Sequence, residues 1–139
     1  MKVLESKFKS SVLETIILPQ GKVFIFSNFI ITEFDESITV DLECFLALLE
    51  ILEAQDNDKT QFGFISNRLN SYTLEAEDFL SIATMSSKKY KSAVVVHNER
   101  IARTTSFEQH IFKCNTSIFC DLEKAVSWIN STDSLGVAS

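Results

Sequence analysis

Two polar runs hold most of the side chains able to do chemistry. The first, Ser66-Asn67-Arg68-Leu69-Asn70-Ser71-Tyr72-Thr73, follows the apolar Phe62-Gly63-Phe64-Ile65. The second, His97-Asn98-Glu99-Arg100 with Arg103-Thr104-Thr105, follows Ala93-Val94-Val95-Val96. If each apolar run is a parallel strand and each polar run leads into a helix, both runs lie at the carboxyl edge of a sheet. Open α/β folds bind their ligands there. Free helix amides and the forked donors of Arg68, Arg100 and Arg103 would converge, an arrangement suited to an anion or an acidic partner surface. Asn67, Asn70, Ser71, Tyr72 and His97 complete this expected binding rim. A local account of the same residues stays open, with Asn and Ser capping the helix and the arginines pairing with nearby carboxylates.

Covalent, redox and metal chemistry find less support. His97 and His110 stand at no ligand spacing to a cysteine or carboxylate. Cys114 and Cys120 flank a short β-rich run and could meet, but an odd count of three cysteines fits a reducing compartment with free thiols. Cys44 sits beside an apolar helical stripe and reads as core or boundary filler. Gly21, Gly63 and Gly136 are too scattered for a phosphate-binding loop, and no Ser or Cys occupies a nucleophile elbow. Glu75, Glu77 and Asp78 open a helix, where they suit its dipole. The expectation is a chain without catalytic activity, metal or cofactor. An enzyme site built from Arg68, Asn70 and His97 is the weakest of the alternatives.

The elements that must position these residues alternate in period. Lys22 to Phe26 and Phe29 to Phe34 are dense in β-branched and aromatic residues, and Ser27-Asn28 between them is as short as a hairpin loop can be. Before Pro19, Val12-Leu13 and Ile16-Ile17-Leu18 fit either an extra strand or a short helix. Thr39 can cap a helix with Leu42, Phe45, Leu46, Leu49 and Leu52 inward. Thr73 can cap another, whose stripe includes Phe79, Ile82 and Ala83. Thr105-Ser106-Phe107-Glu108 has the form of a capping box opening a short helix to about Lys113. Ser117-Ile118-Phe119 is a last strand, and Asp121 caps a last helix with Leu122, Ala125, Val126 and Ile129 inward. The order is ββαβαβαβα. It predicts a mixed sheet with an N-terminal antiparallel hairpin and parallel strands near 61–66, 92–97 and 117–119, joined by right-handed crossovers.

At Phe64-Ile65-Ser66-Asn67-Arg68-Leu69-Asn70-Ser71-Tyr72, at Lys91 to Val96 and at Asp121-Leu122-Glu123-Lys124-Ala125-Val126-Ser127-Trp128-Ile129, the chain resembles small bacterial proteins of the SpoIIAA-like, or STAS-like, class. The resemblance covers roughly residues 20 to 130. It implies a βα superhelix and a regulatory or protein-interaction module rather than an enzyme. A related branch is compared with SEC14-type lipid-binding domains, which implies as an alternative a carrier of a small apolar or anionic ligand. Anti-sigma-factor antagonists of the class carry a phosphorylatable Ser beside an acidic residue and a Gly, at the turn into the helix after a central strand. Residues Ser66 to Thr73 contain neither the acid nor the Gly, so no residue inherits the phosphoserine role.

Composition sets outer bounds. A chain of 139 residues with 45% hydrophobic residues and 12 Phe suits one domain with a full core. That core is expected over about 20–130, with 131–139 as a frayed tail. A net charge of −6 disfavours a nucleic-acid partner, and Lys88-Lys89-Tyr90-Lys91 reads as a solvated turn. The start Met1-Lys2-Val3-Leu4-Glu5-Ser6-Lys7 has no signal-peptide h-region, and no apolar run approaches a membrane span. A cytoplasmic location without membrane insertion is expected. The partner is either an unidentified protein or a small ligand. Phe24, Phe26, Phe29 and Phe34 cannot all face one side of a hairpin at a sheet edge. Either the sheet is covered on both faces, or this hairpin makes a subunit contact, such as a homodimer, or a ligand contact.

Overall fold

The β-branched and aromatic density of the first third of the chain becomes three consecutive antiparallel strands. The computed structural model describes residues 1–55, 62–74, 91–112 and 116–131. Strands β1 (Glu14–Leu18), β2 (Gly21–Ile25) and β3 (Phe29–Phe34) pair antiparallel in sequence order. Of the two readings open for the residues before Pro19, the extra strand is the one adopted. Pro19-Gln20 turns β1 into β2, and Ser27-Asn28 turns β2 into β3, closed by Phe26 N–H to Phe29 C=O at 2.9 Å. Gly21 has φ 152°, and a Cβ there would run into the backbone of Glu33 and Phe34. Only glycine fits.

From β3 the sheet continues in parallel through β5 (Gly63–Arg68), β7 (Lys91–Val96) and β8 (Thr116–Phe119), giving the order β1-β2-β3-β5-β7-β8. The expected mixed sheet with an antiparallel hairpin and three later parallel strands is present. Two short strands not foreseen, β4 (Thr39–Val40) and β6 (Thr73–Leu74), form a separate parallel pair. Among the described residues there are three α-helices, α1 (Leu42–Gln55), α2 (Glu99–Phe112) and α3 (Leu122–Ile129), and two short 3-10 turns, Val3–Glu5 and Lys9–Ser11. The helix expected after Thr73, with Phe79, Ile82 and Ala83, lies outside the described residues. So do Lys88 to Tyr90, Cys114 and residues 132–139.

Each parallel strand is added on the far side of the one before, and the described crossover helices α1 and α2 lie on one face of the sheet. On that face Val23, Ile25, Ile30 and Phe34 pack with Cys44, Leu48 and Leu52 of α1 and with Phe62 and Tyr72. On the other face Phe24, Phe26, Phe29, Ile31, Ile65, Ala93 and Val95 pack under Leu122, Ala125, Val126 and Ile129 of α3. Val3, fully buried, joins this second layer, with Phe8 and Val12 against it. The core therefore begins well before residue 20. All four hairpin phenylalanines are buried, because alternate residues feed two covered faces, and the sheet edge is β1 instead.

Two of the expected helix caps are replaced by other residues. Thr39 is in a strand, and Asp41 starts α1, its Oδ1 accepting from the Cys44 amide at 3.2 Å. α1 buries Cys44, Leu48 and Leu52, while Leu42 and Leu46 of the expected stripe are exposed. α2 starts six residues ahead of Thr105, capped by Asn98 Oδ1 on the Ile101 amide at 2.8 Å. At α3 expectation and structure agree: Asp121 Oδ1 accepts from Glu123 N–H at 2.9 Å, and the four named residues face the core. Lys91 is not in a solvated turn. It is 2% exposed, and its Nζ donates to the Trp128 carbonyl at 2.6 Å and to Ser131 Oγ at 2.8 Å. A buried cation at the C-terminal end of α3 complements the helix dipole.

Candidate functional site

Ser66, Asn67 and Arg68 are strand residues, not loop. Polar residues can continue a buried strand only if each side chain finds partners, and here each does. Alternation sends them to different faces. Asn67 points to the α3 side, while Ser66 and Arg68 point to the α1 side. The rim expected from sequence is thereby divided by the sheet itself.

On the α3 side, Glu33 of β3, Asn67 of β5 and His97 just after β7 form one hydrogen-bonded row. Asn67 Nδ2 donates to Glu33 Oε2 and to the Met1 carbonyl, both at 2.9 Å. Its amide hydrogens are thus used, so Oδ1 is the acceptor for His97 Nε2 at 2.7 Å. That assigns the proton of a neutral imidazole to Nε2 and leaves Nδ1 as the acceptor, 3.3 Å from the Met1 amino nitrogen. Burial, with the Met1 amino charge adding to it, lowers the His97 pKa below its usual 6.5. Glu33 Oε2 also accepts the Val3 main-chain N–H at 2.7 Å.

On the α1 side, Arg68 is 3% exposed. Its Nη1 donates to Thr105 Oγ1 of α2 and its Nη2 to the Tyr72 carbonyl, each at 3.1 Å. The guanidinium carbon lies 4.3 Å from the Tyr72 ring centroid. Tyr72 in turn meets Ser66 Oγ through its hydroxyl at 2.9 Å. Arg100 and Arg103 stand exposed on the first turns of α2, and Arg103 pairs with Glu99 at 3.2 Å. Arg68 is therefore sealed beneath α2 and does not share an open rim with them.

The loops beyond β3 and β5 are tied to each other. Asn70 Nδ2 donates to the Phe34 carbonyl at 3.0 Å, Ser71 N–H to Glu36 Oε2 at 2.8 Å, and Ser37 N–H to the Ser71 carbonyl at 2.7 Å. Ser37 adopts φ 63° to make that turn. Thr73 is not a helix cap but part of β6, its amide donating to Ile38 C=O at 3.0 Å.

The sequence reading named Asn67, Arg68, Asn70, Ser71, Tyr72 and His97, and Thr105 as a helix cap, but not their counterparts Glu33 and Val3. Glu33 carried a signal: a carboxylate interrupts an otherwise apolar strand at a position level with Asn67 once the parallel register is known. Among the described residues no three His, Cys, Asp or Glu side chains group to hold a metal. Burial, with Asp41 adding, pushes the Cys44 thiol up to about 11, so it is protonated at neutral pH. No described helix is long and apolar enough to cross a membrane. No family model matches the chain, no curated protein matches it, and no solved structure does.

Proposed function

We propose that this chain is a non-catalytic protein-interaction module of STAS-like type. One observation carries the reading: Arg68, Asn70, Tyr72 and His97, and Asn67 through Glu33 and His97, are spent on bonds between elements of the fold. A catalytic or small-ligand site keeps its polar groups convergent on a space for substrate. Topology supports the same reading, since a doubly wound sheet opens its ligand crevice where strand order reverses. Here the parallel strands run β3-β5-β7-β8 in one direction.

The module does not use the phosphoserine switch of sigma-factor antagonists. Ser66 bonds the Tyr72 hydroxyl from inside a strand, and Thr73 belongs to a strand pair. Native mass spectrometry of protein isolated from its own host is the test. A co-purified protein partner and an unphosphorylated intact mass are expected. A retained lipid or metabolite would favour the carrier reading instead, and a +80 Da population on Ser66, Ser71 or Thr73 would restore the switch.

A further inference from the structure

Residues 1–3 lie across the carboxyl ends of β3, β5 and β7 without joining the sheet, and they are gripped as a ligand would be. Asn67 Nδ2 donates to the Met1 carbonyl at 2.9 Å, and Glu33 Oε2 accepts the Val3 N–H at 2.7 Å. Between these contacts the Val3 side chain drops into the core layer under α3 and is fully buried. Lys2 and Leu4 stay exposed on either side. The contacts thus address the main chain of residues 1 and 3 and one side chain. Lys2 between them is extended, and Val3 then opens a 3-10 turn over Val3–Glu5; extended stretches of peptide are recognised in this way, with main-chain bonds for affinity and a pocket for selectivity.

The gripping groups also hold one another. Asn67 Nδ2 bonds Glu33 Oε2 at 2.9 Å and His97 Nε2 bonds Asn67 Oδ1 at 2.7 Å, both independent of residues 1–3. Asn67 itself is 1% exposed. Such a site is set before its occupant arrives, which lowers the ordering cost of binding.

We propose that Glu33, Asn67 and the slot filled by Val3 form a binding site for an extended peptide segment of a partner protein, which residues 1–3 occupy in cis as a removable strap. The segment presents a free carbonyl and, two residues later, an N–H on a residue with a Val-sized aliphatic side chain. The proposal rests on the interaction-module reading and names its site and partner class. A tethered strap competes at an effective concentration of order millimolar, so a partner segment binds weakly until the strap is out.

The test uses the 139-residue chain carrying Val3→Asp, which places a carboxylate in the apolar slot next to Glu33. A fluorescein-labelled peptide with the sequence of residues 1–8 is titrated by fluorescence anisotropy. Binding by the variant should be saturable and at least about tenfold tighter than by the unaltered chain. N-methylation of the peptide's third amide, or Asp as its third residue, should each weaken binding at least about tenfold. Equal binding by both chains, or indifference to N-methylation, overturns the site. So does failure of the Val3→Asp chain to fold, because a removable strap is not needed for folding. In the unaltered chain the Val3 amide should exchange hydrogen by local opening, well ahead of Ile65, and exchange at the global rate overturns the proposal. If native mass spectrometry finds a partner while the peptide does not bind, the site falls and the module reading stands.

Discussion

Buried polar side chains at the carboxyl ends of the strands set how this protein responds to substitution and pH. Arg68 had the features of an exposed anion ligand in sequence, and a ligand-only role predicts that its removal leaves stability unchanged. Its position under α2, bonded to Thr105 and stacked on Tyr72, predicts otherwise. Arg68→Ala should destabilise the chain by about 2–4 kcal/mol, through lost packing and unmet carbonyl and hydroxyl groups. Chemical denaturation measures this directly, and a loss under about 0.5 kcal/mol would contradict the burial. His97 gives a pH dependence with a definite sign. Its folded pKa lies below the unfolded value of about 6.5. Above 6.5 both states are neutral, and the stability associated with His97 is fully present. As pH falls below 6.5 the unfolded chain takes up the proton first, so stability declines until the lowered folded pKa is passed. The melting temperature of the unaltered chain should therefore fall between pH 6.5 and 5.5. His97→Gln should flatten that slope, and identical slopes in the two chains would refute the assignment.

At the scale of elements, close approach explains one residue that composition could not. A Cβ on Gly63 would lie 2.6 Å from Ile129 Cγ2 and 3.2 Å from Phe29 Cβ, so α3 sits on β5 at a distance only glycine allows. Gly63→Ala should cost about 1–3 kcal/mol by overpacking, read as a lower denaturation midpoint. Ile129→Val in the same chain should recover part of it by removing a methyl group from the contact. α3 was legible because its apolar residues form one narrow stripe, so the spacing of Leu122, Ala125, Val126 and Ile129 leaves a single inward face. α1 was not, because Leu-Glu-Cys-Phe-Leu-Ala-Leu-Leu is apolar nearly all round and tertiary contact chooses the face. The caps expected for α1 and α2 failed for a related reason, whereas Asp121 at α3 held. Thr39, Asp41, Asn98 and Thr105 all have capping side chains, and which one ends the helix depends on where the neighbouring strand releases the chain. The strands were legible from β-branched density, but Asn67-Arg68 looked like loop because their partners Glu33 and Thr105 lie more than thirty residues away in sequence.

Across the whole molecule, protection is graded by how many sides of each strand are covered. β3, β5 and β7 each have hydrogen-bonded neighbours on both edges and side chains buried on both faces. Among the described residues β1 has one neighbour, and Leu13 and Ile17, on the side of the sheet that α3 covers farther along, are 69% and 67% exposed. Amides of Ile65 and Val95 should therefore exchange only through global unfolding, whereas outward amides of β1 should exchange at least about a hundredfold faster. The edge also tests self-association better than the buried hairpin phenylalanines do. Glu14-Thr15-Ile16-Ile17-Leu18 has no proline or lysine within the strand to block pairing, the usual protection of an exposed edge. A strand-edge dimer would give the β1 amides protection that grows with protein concentration and leave β5 and β7 unchanged. Rates in β1 that do not vary over a hundredfold range of concentration would mean the chain acts as a single copy. Protection of β5 lower than that of β1 would contradict the strand order itself.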